Sequence, residues 1–318
     1  MNQGGKQRIV AVVGCTGGGK TALAVELAKR CGGEVISCDS MQIYKGMDIG
    51  TAKPTTDEMQ GIPHWMLDVV DPLCGDSYSC ADYVKDARQV VADVSARGRL
   101  PILCGGTGLY LDAFLRGGCF EETVVDEALR QELYAVAESE GAETLHRMLC
   151  EVDPESGAAI HPNNVKRVVR AIEIFRTTGR TKSDLDRESR QPESVYDAVV
   201  IGIRYQSREL LNRRIDARVD AMLAAGLVEE TQRLRAGGVF DRCATAAQAI
   251  GYKELFGYLD GVESLESATE RLKIATHQYA KRQMTWFSAK PYVQWVDADE
   301  NGKQREFEDI VNNAKKLF

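Results

Sequence analysis

Nine cysteines occur without a single CxxC pair, and no apolar run approaches the roughly 20 residues that span a bilayer. The first absence removes the usual spacing of a zinc or dithiol site. An odd cysteine count with no paired motif points to reduced thiols and a cytosolic protein. The second absence excludes a membrane-spanning helix. The start of the chain, Met1 to Gln7, is polar and lacks the apolar stretch of a secretory leader. Excess basic charge is missing too, since the net charge is −7. Any contact with nucleic acid must then rest on a local patch. His64 has no second His or Cys at metal spacing, which favours a packing role over a ligand. There is no internal repeat or low-complexity segment. With 318 residues and 44% hydrophobic content, the chain can build one large domain or two smaller ones.

What is present is organised around Gly14-Cys15-Thr16-Gly17-Gly18-Gly19-Lys20-Thr21. It fits G-x-x-x-x-G-K-[ST], the phosphate-binding loop. The continuous apolar run Ile9–Val13 before it predicts a strand buried on both faces, and Thr21–Arg30 after it predicts a helix. Backbone N–H groups in such a turn converge on an oxyanion, and the helix N-terminus adds partial positive charge. Lys20 can reach a terminal phosphate and Thr21 can ligate Mg²⁺. Cys15 lies inside the loop, where a low thiol pKa is one role and space-filling the commoner one.

Glu34–Cys38 predicts a second strand, followed by Asp39-Ser40. In open α/β sheets ligands sit beyond the carboxyl ends of the strands, so Asp39 can face the phosphate ligand; a turn-capping aspartate is the alternative. Residues 43–54 are interrupted by glycine and polar, and predict an ordered loop rather than a core element. Residues 63–72 predict a third strand ending in a turn. A helix over 79–97 and a buried strand over 100–104 follow, then Gly105-Gly106-Thr107-Gly108 and a helix over 109–115. That strand does not end in the aspartate of a usual Walker B element, which weakens the case for a plain ATPase.

From Glu121 the pattern becomes helical. Helices are expected over 124–140, 142–152, from Pro154, and over 164–178 closed by Gly179, with a flexible return over 180–194. The expected fold is α/β: a P-loop NTPase-like parallel sheet core, residues 1–121 and 197–318, interrupted by an all-helical insertion, residues 122–196. Lys166, Arg167 and Arg170 fall at i, i+1 and i+4, and with Arg176, Arg180 and Lys182 make a local basic concentration. In an acidic chain this favours an anionic partner; a solvated helix face is the alternative. Strand 197–205, helix 207–225, helix 264–288, strand 293–296 and helix 305–317 complete the core. Arg214 and Arg218 lie four apart on one helix, able to grip an oxyanion or to pair with Asp216 and Asp220.

These segments together resemble the tRNA dimethylallyltransferases, also called tRNA isopentenyltransferases. The resemblance is carried by GCTGGGKT, ISCDSMQIYKGMDIGTAKP, PHWMLDVVDP, YSCADYVKDA, LPILCGGTGLY, IHPNNVKRVVRAIEIF, GLVEE, QAIGYKE and AKRQMTWF, in the family's order from residue 14 to about 287. Cys15 departs from the proline common there. The resemblance implies transfer of a dimethylallyl group from dimethylallyl diphosphate to N6 of adenine 37 of tRNA, with release of diphosphate and with Mg²⁺ bound through Thr21. It implies Asp39 as general base, Arg218 on the leaving diphosphate and Thr107 beside the reacting centre. The loop residues Gly14 to Thr21 would hold diphosphate. The RNA contacts it implies are Asp39, Ser40, Met41, Gln42, Thr107, Arg130, Lys166, Arg167, Val168, Val169, Arg170, Gln248, Ala249, Ile250, Gly251, Tyr252 and Lys253. A cytoplasmic monomer acting on the anticodon stem-loop is expected. Three readings compete with it: a P-loop kinase, an isopentenyltransferase acting on free nucleotide, and a non-catalytic RNA- or nucleotide-binding switch. The helical insertion argues against the second, because a nucleotide acceptor needs no basic arm.

Overall fold

The structure, a computed structural model, describes residues 5–74, 78–116, 126–189 and 194–318. The chain divides into two compact units, residues 1–115 with 195–318, and residues 116–194. The boundary expected near residue 121 lies outside the described residues.

The first unit begins with β1 (Arg8–Gly14), α1 (Lys20–Cys31), β2 (Gly33–Ser37), α2 (Thr56–Met59), β3 (His64–Trp65), α3 (Cys80–Ala96), β4 (Leu100–Gly105) and α4 (Gly108–Arg116). The helical unit contains α5 (Glu127–Ser139), α6 (Ala142–Val152), α7 (Pro154–Ala159), α8 (Val165–Thr178) and α9 (Lys182–Ser189). The first unit then resumes with β5 (Asp197–Arg204), α10 (Arg208–Ala224), α11 (Leu227–Ala236), α12 (Val239–Arg242), α13 (Phe256–Leu259), α14 (Leu265–Ser288), β6 (Val293–Asp297), a short hairpin, and α15 (Phe307–Lys315).

Six strands form a parallel sheet in the order β3-β2-β4-β1-β5-β6. The central strands are apolar throughout because both faces are covered. Ile9, Ala11 and Val13 join the core under α3 and α4, while Val10 and Val12 join the core under α1 and α15. Each fully buried Val or Ile contributes roughly 1.5–3 kcal/mol. The carboxyl ends of β1, β2 and β4 therefore emerge on one edge, which brings the loops after Gly14, Ser37 and Gly105 together.

Three expectations need correction. The segment over 43–54 is a loop, yet Ile43, Tyr44 and Met47 are wholly buried against α10, α11 and α14 and seed a third core cluster. The strand expected over 63–72 is only two residues long, because Met66 and Asp68 turn the backbone into positive φ (61° and 54°). The flexible return contains α9. Thr181 accepts the Asp184 N–H, and Asp153 accepts the amides of Ser156 and Ser183, tying that helix to α7.

The helical unit has its own core, in which Leu133, Leu145, Leu149, Val168, Val169 and Ile172 meet. Among the described residues no helix is long and apolar enough to cross a membrane.

Candidate active site

The phosphate loop leaves β1 and enters α1 at Gly19, which is left-handed at φ 90°. A side chain there would be strained, and no side chain caps the first turn of α1. Its free N–H groups make an anion cradle. Inside the loop, the Gly18 amide donates to the Cys15 carbonyl at 3.2 Å, and Lys20 Nζ donates to the same carbonyl at 2.7 Å. Burial pulls the Lys20 ammonium below its ordinary pKa, opposed by nearby Cys15, Cys104 and Asp39. A half-buried lysine with no carboxylate hydrogen bond among the described residues favours an incoming anion. The Cys15 thiol is buried against Ile215 and Ala280, and burial pushes its pKa up despite Lys20. Cys15 is thus a space-filler, not a reactive thiol.

Asp39 follows β2. Its Oδ1 accepts the Met41 N–H at 2.9 Å, and among the described residues Oδ2 has no hydrogen bond. The two roles read from the sequence coexist: one oxygen shapes a turn and the other stays free. Thr107 locks the neighbouring backbone. Its Oγ1 accepts the Ser40 N–H at 3.0 Å, and its own amide donates to the Cys38 carbonyl at 3.2 Å. Gln42 lines the cleft with its amide engaged, donating to the carbonyls of Thr51 and Ala52.

Arg214 and Arg218 project from α10 with different partners. Arg214 Nε donates to the Gly17 carbonyl at 3.1 Å, bracing the phosphate loop. Arg218 has no hydrogen bond or ion pair among the described residues, and burial lowers its pKa, offset by the charges of Glu58 and Asp39. Asp220 is paired with Lys273 at 2.8 Å, and Asp216 Oδ1 lies 2.8 Å from His277 Nε2. Lys20, Thr21, Asp39, Ser40 and Arg218 all line one cleft of about 1050 Å³. Gln248, Ala249, Ile250, Gly251 and Lys253 line it as well, Gln248 and Lys253 being exposed.

Sequence reasoning missed two side chains of this cleft, Gln283 and Tyr279, and a third, Glu230, that does not line it. Gln283 on α14 is 5% exposed and touches both glycine-rich loops. Tyr279, one turn earlier, has its phenol pushed well up by burial, and Asp39's charge adds to this. Glu230 on α11 accepts the amides of Asp48, Ile49 and Gly50 at 3.0–3.2 Å and the Tyr252 hydroxyl at 2.8 Å. It thereby pins the 48–50 turn to Tyr252, whose side chain is wholly buried. Each polar residue sits among apolar neighbours at helical spacing: Ala280, Gln283 and Phe287, or Leu227, Glu230 and Leu234. A polar residue in an apolar stripe was the available signal. His64 lies at the cleft, half-buried, with its Nδ1 2.8 Å from the Ile62 carbonyl.

In the helical unit the residues assigned to RNA separate into three groups. Lys166 and Arg167 are exposed. Val168 and Val169 are buried in that unit's core, so their side chains are not an RNA surface. Arg130 and Arg170 both bond Glu173, which is wholly buried; the Arg130 Nε pair is 2.9 Å.

A sequence profile of the family described as IPP transferase matches residues 42–290. The chain is 50% identical over 291 residues to the tRNA dimethylallyltransferase of Geobacillus thermodenitrificans, covering 92% of this chain and 90% of that one. It is 48% identical over 292 residues to the tRNA dimethylallyltransferase of Bacillus subtilis, covering 92% and 91%. Its fold is similar to the full-length tRNA isopentenylpyrophosphate transferase from Bacillus halodurans, with 43% identity, a TM-score of 0.69 and 98% and 99% of the two chains covered. A eukaryotic dimethylallyltransferase acting on tRNA gives a TM-score of 0.77 at 30% identity, over 92% of this chain and 74% of that one.

Proposed function

This chain belongs to the IPP transferase family, and from that premise we propose how its cleft transfers a dimethylallyl group to tRNA. The donor is dimethylallyl diphosphate and the acceptor is N6 of adenine 37. One observation carries the reading: the phosphate loop, a carboxylate with a free oxygen and an arginine without a carboxylate partner line the same cleft.

The adenine amine is a weak nucleophile because its lone pair is delocalised into the ring. As N6 forms its bond to the allylic carbon, that carbon's bond to oxygen breaks and the electron pair leaves with diphosphate. Asp39 Oδ2 takes the N6 proton. Lys20, the amides at the start of α1 and Arg218 stabilise the growing negative charge on diphosphate. Ser40 and Thr107 keep the Asp39 turn in place. The base must leave the anticodon-loop stack, at a cost of about a few kcal/mol.

Among the described residues there is no group of three or more His, Cys, Asp or Glu fit for a metal. The Thr21 hydroxyl at the first turn of α1 would be the protein's oxygen donor to the ion. A single hydroxyl would suit Mg²⁺, an ion commonly held by few protein oxygens. Bound there, the ion would neutralise charge on the leaving group. Lys166 and Arg167 would hold anticodon-stem phosphates, and Gln248 to Lys253 would touch the RNA. We expect a single chain acting in the cytosol.

The test is incubation with dimethylallyl diphosphate, Mg²⁺ and unmodified tRNA, then mass analysis of nucleosides with mapping of the modified position. Dimethylallyladenosine at position 37 is the expected product. Cleavage of ATP with no prenylated nucleoside would turn the assignment to a kinase.

A further inference from the structure

The phosphate loop and the Asp39 turn leave different strands, and a side chain outside both links them through hydrogen bonds. Gln283 of α14 accepts the Thr16 N–H through Oε1 at 2.8 Å. Its Nε2 donates to the Gly106 carbonyl at 3.1 Å. The Gly106–Thr107 peptide so oriented sends the Thr107 amide to the Cys38 carbonyl, and Thr107 Oγ1 receives the Ser40 amide. Cys38 and Ser40 flank Asp39. A continuous chain of hydrogen bonds thus runs from the loop that holds the leaving group to the residues on either side of the base.

The approach is close. A Cβ on Gly106 would lie 2.0 Å from Gln283 Nε2, so only glycine admits the amide there. Gln283 is also almost fully buried. An amide fits this place because it donates and accepts at once. A leucine there would leave the Thr16 amide and the Gly106 carbonyl unsatisfied. Tyr279, whose phenol is held neutral by burial and senses both Gln283 and Thr107, closes the same corner.

We propose that Gln283 is a positioning residue for prenyl transfer: it fixes the separation between the diphosphate loop and Asp39 without touching the reacting atoms. This rests on the reading of Asp39 as base and of the loop as the diphosphate site. A misplacement near 1 Å between otherwise intact groups lowers a rate by about 10²-fold. The effect should therefore fall on turnover and not on binding.

Gln283→Met keeps length and removes both hydrogen bonds. Its single-turnover rate with saturating dimethylallyl diphosphate, Mg²⁺ and unmodified tRNA should fall about 10²-fold. Its equilibrium affinity for the donor should stay within about threefold of the parent. In an Asp39→Asn background the same change should lower the residual rate by less than about threefold, since there is no base left to position. A rate near the parent's overturns the proposal. So does a rate loss matched by an equal loss of donor affinity, which would make Gln283 a brace of the phosphate loop alone. Should Gln283→Met fail to fold, Gln283→Glu keeps the acceptor for Thr16 and loses the donor to Gly106. That variant should lose about tenfold in rate, and a parent-like rate would again overturn the tether. A parent protein that makes no prenylated nucleoside sinks the functional reading itself, whereas an active parent with a fully active Gln283→Met sinks only the tether.

Discussion

Lys20 and Arg218 in the α/β unit and Arg130 and Arg170 in the helical unit are all half-buried basic side chains, but they are answered differently. Lys20 meets only a carbonyl, and Arg218 has no hydrogen-bonded partner among the described residues. Burial lowers the pKa of both. Arg130 and Arg170 converge on the carboxylate of Glu173, which also takes the Asp126 amide at 3.0 Å. The first pair has no hydrogen-bonded carboxylate among the described residues and so favours a bound anion. The second pair closes its own electrostatics inside the protein and holds α5 to α8. A cluster of arginines in a sequence therefore does not identify a surface for phosphate; the carboxylates packed beneath it decide. On α8 only the exposed Lys166 and Arg167, one turn before Arg170, remain for RNA.

This contrast can be broken in graded ways. Lys20→Ala should have the largest effect, lowering turnover by about 10³-fold, the worth of a leading charge-stabilising group on a leaving oxyanion. Melting temperature should not fall, and steady-state kinetics beside a thermal melt checks both. Glu173→Gln should do the reverse. It leaves two arginines without their carboxylate and should destabilise the helical unit by about 3 kcal/mol while donor binding stays unchanged. Denaturant unfolding with a probe in α5 or α8 reads this, and a loss below about 1 kcal/mol would make Glu173 an ordinary surface-type pair.

Replacing Lys166 and Arg167 together by Ala should lower the log–log salt slope of tRNA affinity by about 1.4–1.8 units if each meets one phosphate. An unchanged slope would leave that face simply solvated. The smallest expected effect is a proton. The free protein holds Lys20 below its ordinary pKa by burial, and a bound diphosphate raises it again. Between those two values donor binding should take up protons. Outside that interval, where both states carry the same charge, uptake should vanish. Calorimetry in buffers of different ionisation heat measures this, and proton release would carry the wrong sign.

Much of the α/β unit was legible because its signals are local. An apolar run, a glycine loop and an amphipathic helix specify β1, the phosphate cradle and α1 with few alternatives, and the solved relatives share the fold. Other parts depend on contacts distant in sequence. Ile43, Tyr44 and Met47 look like loop residues until α10, α11 and α14 cover them. The strand after Pro63 stops early because Met66 and Asp68 take left-handed conformations that apolar patterning does not report. Helix α9 carries few apolar residues and exists through caps and ion pairs, so composition suggested a loose return. At the site, Lys20, Thr21 and Asp39 could be placed from motif and strand end, and Arg214 and Arg218 from helical spacing. Only the structure separates Arg214, which braces Gly17, from Arg218, which stays open to the cleft. Gln283 and Glu230 were hidden because each acts on backbone more than 170 positions away, as the Gln283–Gly106 and Glu230–Gly50 bonds show, at separations of 177 and 180.

The central claim is that the free oxygen of Asp39 takes the N6 proton while the unpaired cations of the same cleft hold the leaving group. Asp39→Asn tests it most directly, since the amide oxygen can still accept the Met41 N–H and the shape is kept. Single-turnover transfer to unmodified tRNA, measured with donor affinity and melting temperature on one preparation, should fall by roughly 10²–10⁴-fold with binding and stability intact. A variant that melts about 1 kcal/mol less stably yet transfers at the parent rate would make Asp39 a turn cap and contradict the account.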